Sequence, residues 1–129
     1  DLIISNPPFY AEDYKSDNTQ RDLARFTDAL PFDHLVACTA QLLSETGIFT
    51  VVIPFKEEAH FIKLASKVNL FPNTILHVKG TPTSEVKRSL LAFSFRESEI
   101  KTETLVIETA RHQYTDDYIA LTKDFYLKM

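Results

Sequence analysis

The spacing of apolar residues changes period along the chain, and each change marks an element. Leu2, Ile3 and Ile4 form a short apolar run that stops at Asn6-Pro7-Pro8. This predicts a buried strand entering a loop over 7–16. From 17 to 30, Leu23, Phe26 and Leu30 share one helical face while Arg21 and Arg25 lie on another, predicting a helix. A second helix is expected to start at Asp33 as N-cap, with Val36, Ala40 and Leu43 inward and Gly47 as a left-handed stop. The β-branched run Val51-Val52-Ile53 then reads as a strand buried on both faces and ending at Pro54.

The same order repeats from about 57 to 68, where Ala59, Ile62, Leu64 and Ala65 form the stripe of a third helix that Asn69 and Pro72 end. Strands are expected over 74–79 and 88–95, paired antiparallel across the punctuated loop 80–87. From 101 to 109, Glu103, Leu105 and Ile107 alternate with Thr102, Thr104 and Glu108, as in an edge strand with one wet face. A last helix is expected from Thr115 or Asp116, with Tyr118, Leu121 and Phe125 as a core stripe. Strand, helix, strand, helix and an antiparallel pair make an α/β open sheet, which binds ligands beyond the carboxyl ends of its parallel strands.

Composition changes this picture little. A chain of 129 residues that is 44% hydrophobic is sized for one domain, and its apolar runs are far shorter than the roughly 20 residues of a membrane-spanning helix. The one cysteine, Cys38, allows no intrachain disulfide, fits a cytoplasmic setting and is expected as a buried core thiol among Leu35, Val36 and Ala40. A net charge of -4 opposes nonspecific nucleic-acid binding, so an RNA partner needs a local patch. His34, His60, His77 and His112 show no metal-ligand spacing, and no metal is expected.

The stretch with the most chemistry is Asp1-Leu2-Ile3-Ile4-Ser5-Asn6-Pro7-Pro8-Phe9-Tyr10. Two prolines fix φ and remove two backbone donors, so the carbonyls of Asn6 and Pro7 are free to face a ligand rather than a ladder. This string resembles the catalytic motif of class I methyltransferases that act on amino groups of planar, conjugated systems. They include adenine N6, guanine N2 and protein glutamine methyltransferases, the last usually with Tyr where Phe9 stands.

The resemblance extends along the chain. Phe9-Tyr10, a polar loop, Arg21 to Arg25, Pro31-Phe32-Asp33-His34-Leu35, the Gly47 strand and Asp124-Phe125-Tyr126-Leu127 are laid out as in bacterial tRNA1(Val) adenine-37 N6-methyltransferases. It implies a Rossmann-like sheet of order 3-2-1-4-5-7-6, of which this chain would hold strands 4 to 7 plus an extra edge strand. The cofactor implied is S-adenosylmethionine, and the partner is tRNA.

The resemblance also implies residue roles. The side-chain oxygen of Asn6 and the carbonyl of Pro7 would accept the two hydrogens of the N6 amine, with Pro8 stiffening the turn and Phe9 stacking on the base. In that fold Lys79, Lys87 and Arg88 either flank the pocket and hold phosphates or belong to an ordinary solvated hairpin, and Tyr10 and Tyr14 either line the entrance or pack. Arg21 and Arg25 are either another phosphate grip or surface pairs with Asp22 and Asp28.

Family members bind the cofactor through a glycine-rich loop upstream of this motif. The only glycines here are Gly47 and Gly80, and no initiator Met precedes Asp1. The expectation is therefore a single partial domain over 1–129 that lacks the amino-terminal cofactor-binding half and is inactive alone. Its first strand is expected to be an open edge, prone to self-association. Guanine N2, a protein glutamine, or a noncatalytic RNA-binding or scaffold role remain the alternatives.

Overall fold

A computed structural model describes residues 1–8 and 31–126. The expected helix over 17–30 and Phe9, Tyr10, Tyr14, Arg21 and Arg25 lie outside the described residues.

Five strands form the main sheet: β1 (Leu2–Ser5), β2 (Ile48–Pro54), β3 (Phe71–Lys79), β4 (Val86–Ser94) and β5 (Lys101–Val106). Their spatial order is β1-β2-β4-β3-β5. β1 runs parallel to β2, β4 is antiparallel to both β2 and β3, and β5 is parallel to β3. This is the expected 4-5-7-6 order with one further edge strand, so the α/β fold class read from the sequence is the one observed.

Helices α1 (Phe32–Leu42) and α2 (Glu58–Ser66) cover one face of the sheet. Every second strand residue meets them: Phe49, Val51, Ile53, Ile75, Leu91 and Phe93 are buried there. Phe61 of α2, absent from the expected stripe, is fully buried among Phe32, Phe49 and Phe93 at ring separations of 5.0, 6.3 and 5.6 Å. These aromatic contacts, together with the apolar area they remove from water, anchor α2 to the sheet.

Several expectations change. Cys38 is exposed, because at about 100° per residue it lies opposite Val36 on α1. Asp33 is not the N-cap: the helix starts at Phe32 behind Pro31, and Asp33 is an acid of the first turn, where it complements the helix dipole. Gly47 is not left-handed, since no glycine has positive φ. A Cβ at that position would lie 2.5 Å from Leu43 Cδ1, so glycine is favoured there by close approach, and any larger residue would displace the Leu43 side chain. Asn69 is the left-handed residue, with φ 62°, between α2 and β3.

The strand expected over 101–109 ends at Val106. A short hairpin follows, β6 (Glu108–Ala110) with β7 (Gln113–Tyr114), turning at His112 with φ 64°. Helix α3 (Asp116–Thr122) then begins as expected, with the Thr115 hydroxyl accepting from the Tyr118 amide at 3.2 Å. Its stripe is not core: Leu121 and Phe125 are 60% and 84% exposed. α3 lies beside β5, and Asp117, Ala120 and Leu121 line a hollow with Leu76 of β3 and Glu103, Thr104 and Leu105 of β5. Toward β1 the same sheet face is open, and Leu2 and Ile4 are exposed. Among the described residues no helix is long and apolar enough to cross a membrane.

Candidate active site

The carboxyl ends of β1 and β2 and the start of β4 meet at one rim of the sheet. Ser5 pairs with Val51 in the parallel ladder, so the chain leaves β1 at Asn6 beside the last turns of β2. Arg88 pairs with Pro54 in the antiparallel ladder, so β4 enters at the same rim. Asn6, Pro7, Val52, Ile53, Pro54 and Arg88 consequently line one open hollow of about 160 Å³. Small-molecule clefts usually hold about 300–1,000 Å³, so these walls enclose one side of a site rather than a whole ligand.

Of the residues expected to act, the structure therefore brings together Asn6, Pro7 and Arg88. Asn6 is exposed and Pro7 half-buried, and Pro8 is exposed beside them. Lys79 and Lys87 do not line the hollow. The Lys79 ammonium donates to the Pro82 carbonyl at 3.1 Å, folding back over its own turn. Lys87 is skipped in the β3–β4 register, where Val78 faces Arg88 and Lys79 faces Val86. That bulge sends Lys87 out of the ladder and helps set the aim of Arg88.

Arg88 is exposed and donates to the neighbouring Lys87 carbonyl at 3.2 Å. Among the described residues no carboxylate lines the hollow with it.

Behind the rim lies a polar group that local sequence does not announce. The Ser89 hydroxyl, fully buried, donates to Glu58 Oε1 at 2.8 Å. His77 Nε2 lies 2.7 Å from the same oxygen, and the carboxylate, an acceptor only, places the His77 proton on that nitrogen. The His77 ring meets Phe55 edge to face, with centroids 5.0 Å apart. The three polar residues come from β3, β4 and α2, so only the alternation that turns Ser89 and His77 inward hints at them.

Neither glycine lies in a glycine-rich loop. Gly47 packs on Leu43 at the foot of β2, and Gly80 sits in the β3–β4 turn, with neither at positive φ. Among the described residues no three His, Cys, Asp or Glu side chains gather as metal ligands. His34, His60 and His112 are all exposed.

No family model matches the chain. It is 64% identical over 130 residues to the tRNA1(Val) (adenine(37)-N6)-methyltransferase of Flavobacterium johnsoniae, covering 100% of this chain and 55% of that protein. The protein of that name from Bacteroides fragilis is 43% identical over 129 residues, with 100% and 54% covered. The chain thus spans about half the length of the curated relatives it matches. Among solved structures, a predicted O-methyltransferase, Atu636 from Agrobacterium tumefaciens, superimposes with TM-score 0.63 at 15% identity, over 71% of this chain and 45% of that one. Along its whole length, this chain is similar to one part of the bacterial tRNA1(Val) (adenine(37)-N6)-methyltransferases, and its sheet is the matching part of a class I methyltransferase fold.

Proposed function

We propose that the whole protein methylates the N6 amine of an adenine in tRNA, with S-adenosylmethionine as donor, and that this chain supplies the acceptor side. The observation that carries the reading is the meeting of Asn6, Pro7 and Arg88 in one hollow at the carboxyl rim of the sheet. The whole-length similarity to enzymes named for that reaction supports it.

An adenine amine is a weak nucleophile because its lone pair is delocalised into the ring. Catalysis must orient that nitrogen in line with the donated methyl group. The Asn6 side-chain oxygen and the Pro7 carbonyl are acceptors suited to the two amine hydrogens, and the flanking prolines fix their direction. The target must be unpaired or flipped, as a loop adenine can be at low cost. Phe9 stacks on it in this reading, Tyr10 lines the entrance, and Arg88 holds a phosphate, with Lys79 and Lys87 farther out.

S-adenosylmethionine supplies the activated methyl group. No described residue is assigned to hold it, and the donor site belongs to the remainder of the length found in the relatives. The 129 residues alone are accordingly inactive, act in the cytoplasm only as part of the whole protein, and self-associate through β1 when isolated.

The test is incubation of the whole protein with labelled donor and unmodified tRNA, followed by nucleoside analysis. Label in N6-methyladenosine is expected. Label confined to N2-methylguanosine or to protein rejects the adenine reading in favour of the corresponding relative chemistry.

A further inference from the structure

Phe55 follows directly on Pro54, which lines the hollow, and it is 38% exposed although it is a large apolar side chain. It is also held. Its ring meets His77 at 85°, and His77 is tied through the Glu58 carboxylate to the buried hydroxyl of Ser89. A side chain already fixed in place loses little freedom when a ligand covers it, which favours contact with a flat partner. Exposed cations occupy neighbouring positions: Lys56 is next in the chain, and Arg88 faces Pro54, the residue before Phe55, across the ladder.

An exposed, fixed aromatic ring with cations at neighbouring positions, next to an acceptor hollow, has the chemistry of a single-stranded nucleic-acid subsite. Bases stack on such faces without regard to sequence, while cations take the backbone. We propose that Phe55 is a stacking platform for the nucleotide adjacent to the target adenine, and that His77, Glu58 and Ser89 hold it in place. The proposal rests on the adenine N6 reading above. It adds a second base contact, separate from the Asn6-Pro7 acceptors.

The test uses the whole protein and an anticodon stem-loop RNA, with 2-aminopurine replacing, in turn, each nucleotide flanking the target. Binding to the wild-type protein is expected to quench 2-aminopurine at one flank. Phe55→Leu is expected to abolish that quench and raise KM for the stem-loop about 5- to 100-fold, the range of one base–aromatic stack, with kcat little changed. Phe55→Trp is expected to restore both.

Absence of quenching at both flanks in wild type, an unchanged KM in Phe55→Leu, or a loss confined to kcat each overturns the platform. The wild-type reading needs no variant to fold, so it decides the matter even where Phe55→Leu is unstable. A wild-type protein that neither binds nor methylates the stem-loop overturns the RNA reading itself, whereas normal N6 methylation without the quench overturns only the platform.

Discussion

Ser89 and Glu58 are joined across the sheet–helix boundary by a 2.8 Å hydrogen bond in which a fully buried hydroxyl donates to a carboxylate oxygen that His77 also reaches. Glu58→Ala leaves the Ser89 hydroxyl without its acceptor and is expected to cost about 1–3 kcal/mol of stability. Glu58→Gln keeps an acceptor oxygen and should recover most of it. Urea denaturation of the two variants compares them, and equal losses would show that the charge, not the acceptor, matters.

Gly47 packs against the end of α1, where an added Cβ meets Leu43 Cδ1 at 2.5 Å, Leu43 Cγ at 2.8 Å and Ser44 Oγ at 3.0 Å. Leu43 is buried, so its side chain would have to shift within the core to make way. Gly47→Ala is therefore expected to destabilise by about 1–3 kcal/mol through overpacking. Gly80→Ala, whose Cβ meets nothing nearer than 3.7 Å, is the control and should be close to neutral in the same thermal melts.

Among the described residues that line the hollow, Asn6 is the one side-chain acceptor. In the whole protein, Asn6→Ala is expected to lower kcat by about 100-fold, the usual scale for removing one oriented polar contact to a reacting group. Donor affinity by calorimetry should not move. An unaffected turnover removes Asn6 from the mechanism.

Tyr118 holds its proton above the ordinary tyrosine value of 10.0, first through a hydrogen bond with Tyr126 and then through partial loss of solvent. A raised pKa in the folded state means that the folded protein binds the proton more tightly than the unfolded chain. The stabilising contribution is complete below pH 10 and is lost as pH rises through the raised value. Phenolate absorbance should show one late-titrating tyrosine, and Tyr126→Phe should bring it back toward normal. An unchanged titration would refute the pairing.

β1 has a partner on one side only among the described residues, and Leu2 and Ile4 are 61% and 70% exposed. An unpaired apolar edge is a template for another chain. The isolated 129 residues are expected to associate with rising concentration in analytical ultracentrifugation, and Ile4→Lys to weaken that association. A stable monomer with amide protection over residues 2–4 would argue against it.

Period and punctuation made the strands legible, because Val51-Val52-Ile53 and the 74–79 and 88–95 runs carry their signal locally, although the observed strands begin earlier, at Phe71 and Val86. The order β2-β4-β3 was available only through the resemblance, since antiparallel pairing of β3 and β4 does not say which joins β2. Helix faces were harder. Cys38 and Val36 are neighbours in an apolar segment, yet two residues turn them to opposite sides. Phe61 was missed because a stripe drawn through small residues fits α2 nearly as well as the one that meets three phenylalanine rings.

Of the site, the Asn6-Pro7 turn was legible because proline restricts the backbone without help from distant residues. Arg88 was singled out only as one cation among three. What distinguishes it from Lys87 is the bulge between Val78 and Lys79, a register property invisible in composition. The Glu58, His77 and Ser89 group was hardly legible beyond the alternation that turns Ser89 and His77 inward, because its members meet only after β3, β4 and α2 are assembled.

The insertion of β4 between β2 and β3 has a bearing on folding order. A β3–β4 hairpin forms from contacts close in sequence, whereas docking β4 on β2 closes a longer loop. The hollow needs Asn6 from before β2, Pro54 from its end and Arg88 from β4, so no intermediate that holds the hairpin alone possesses it. Ligand affinity at that rim is thus a readout of the completed sheet, and a mutation that only slows docking will delay the appearance of binding without altering its final strength.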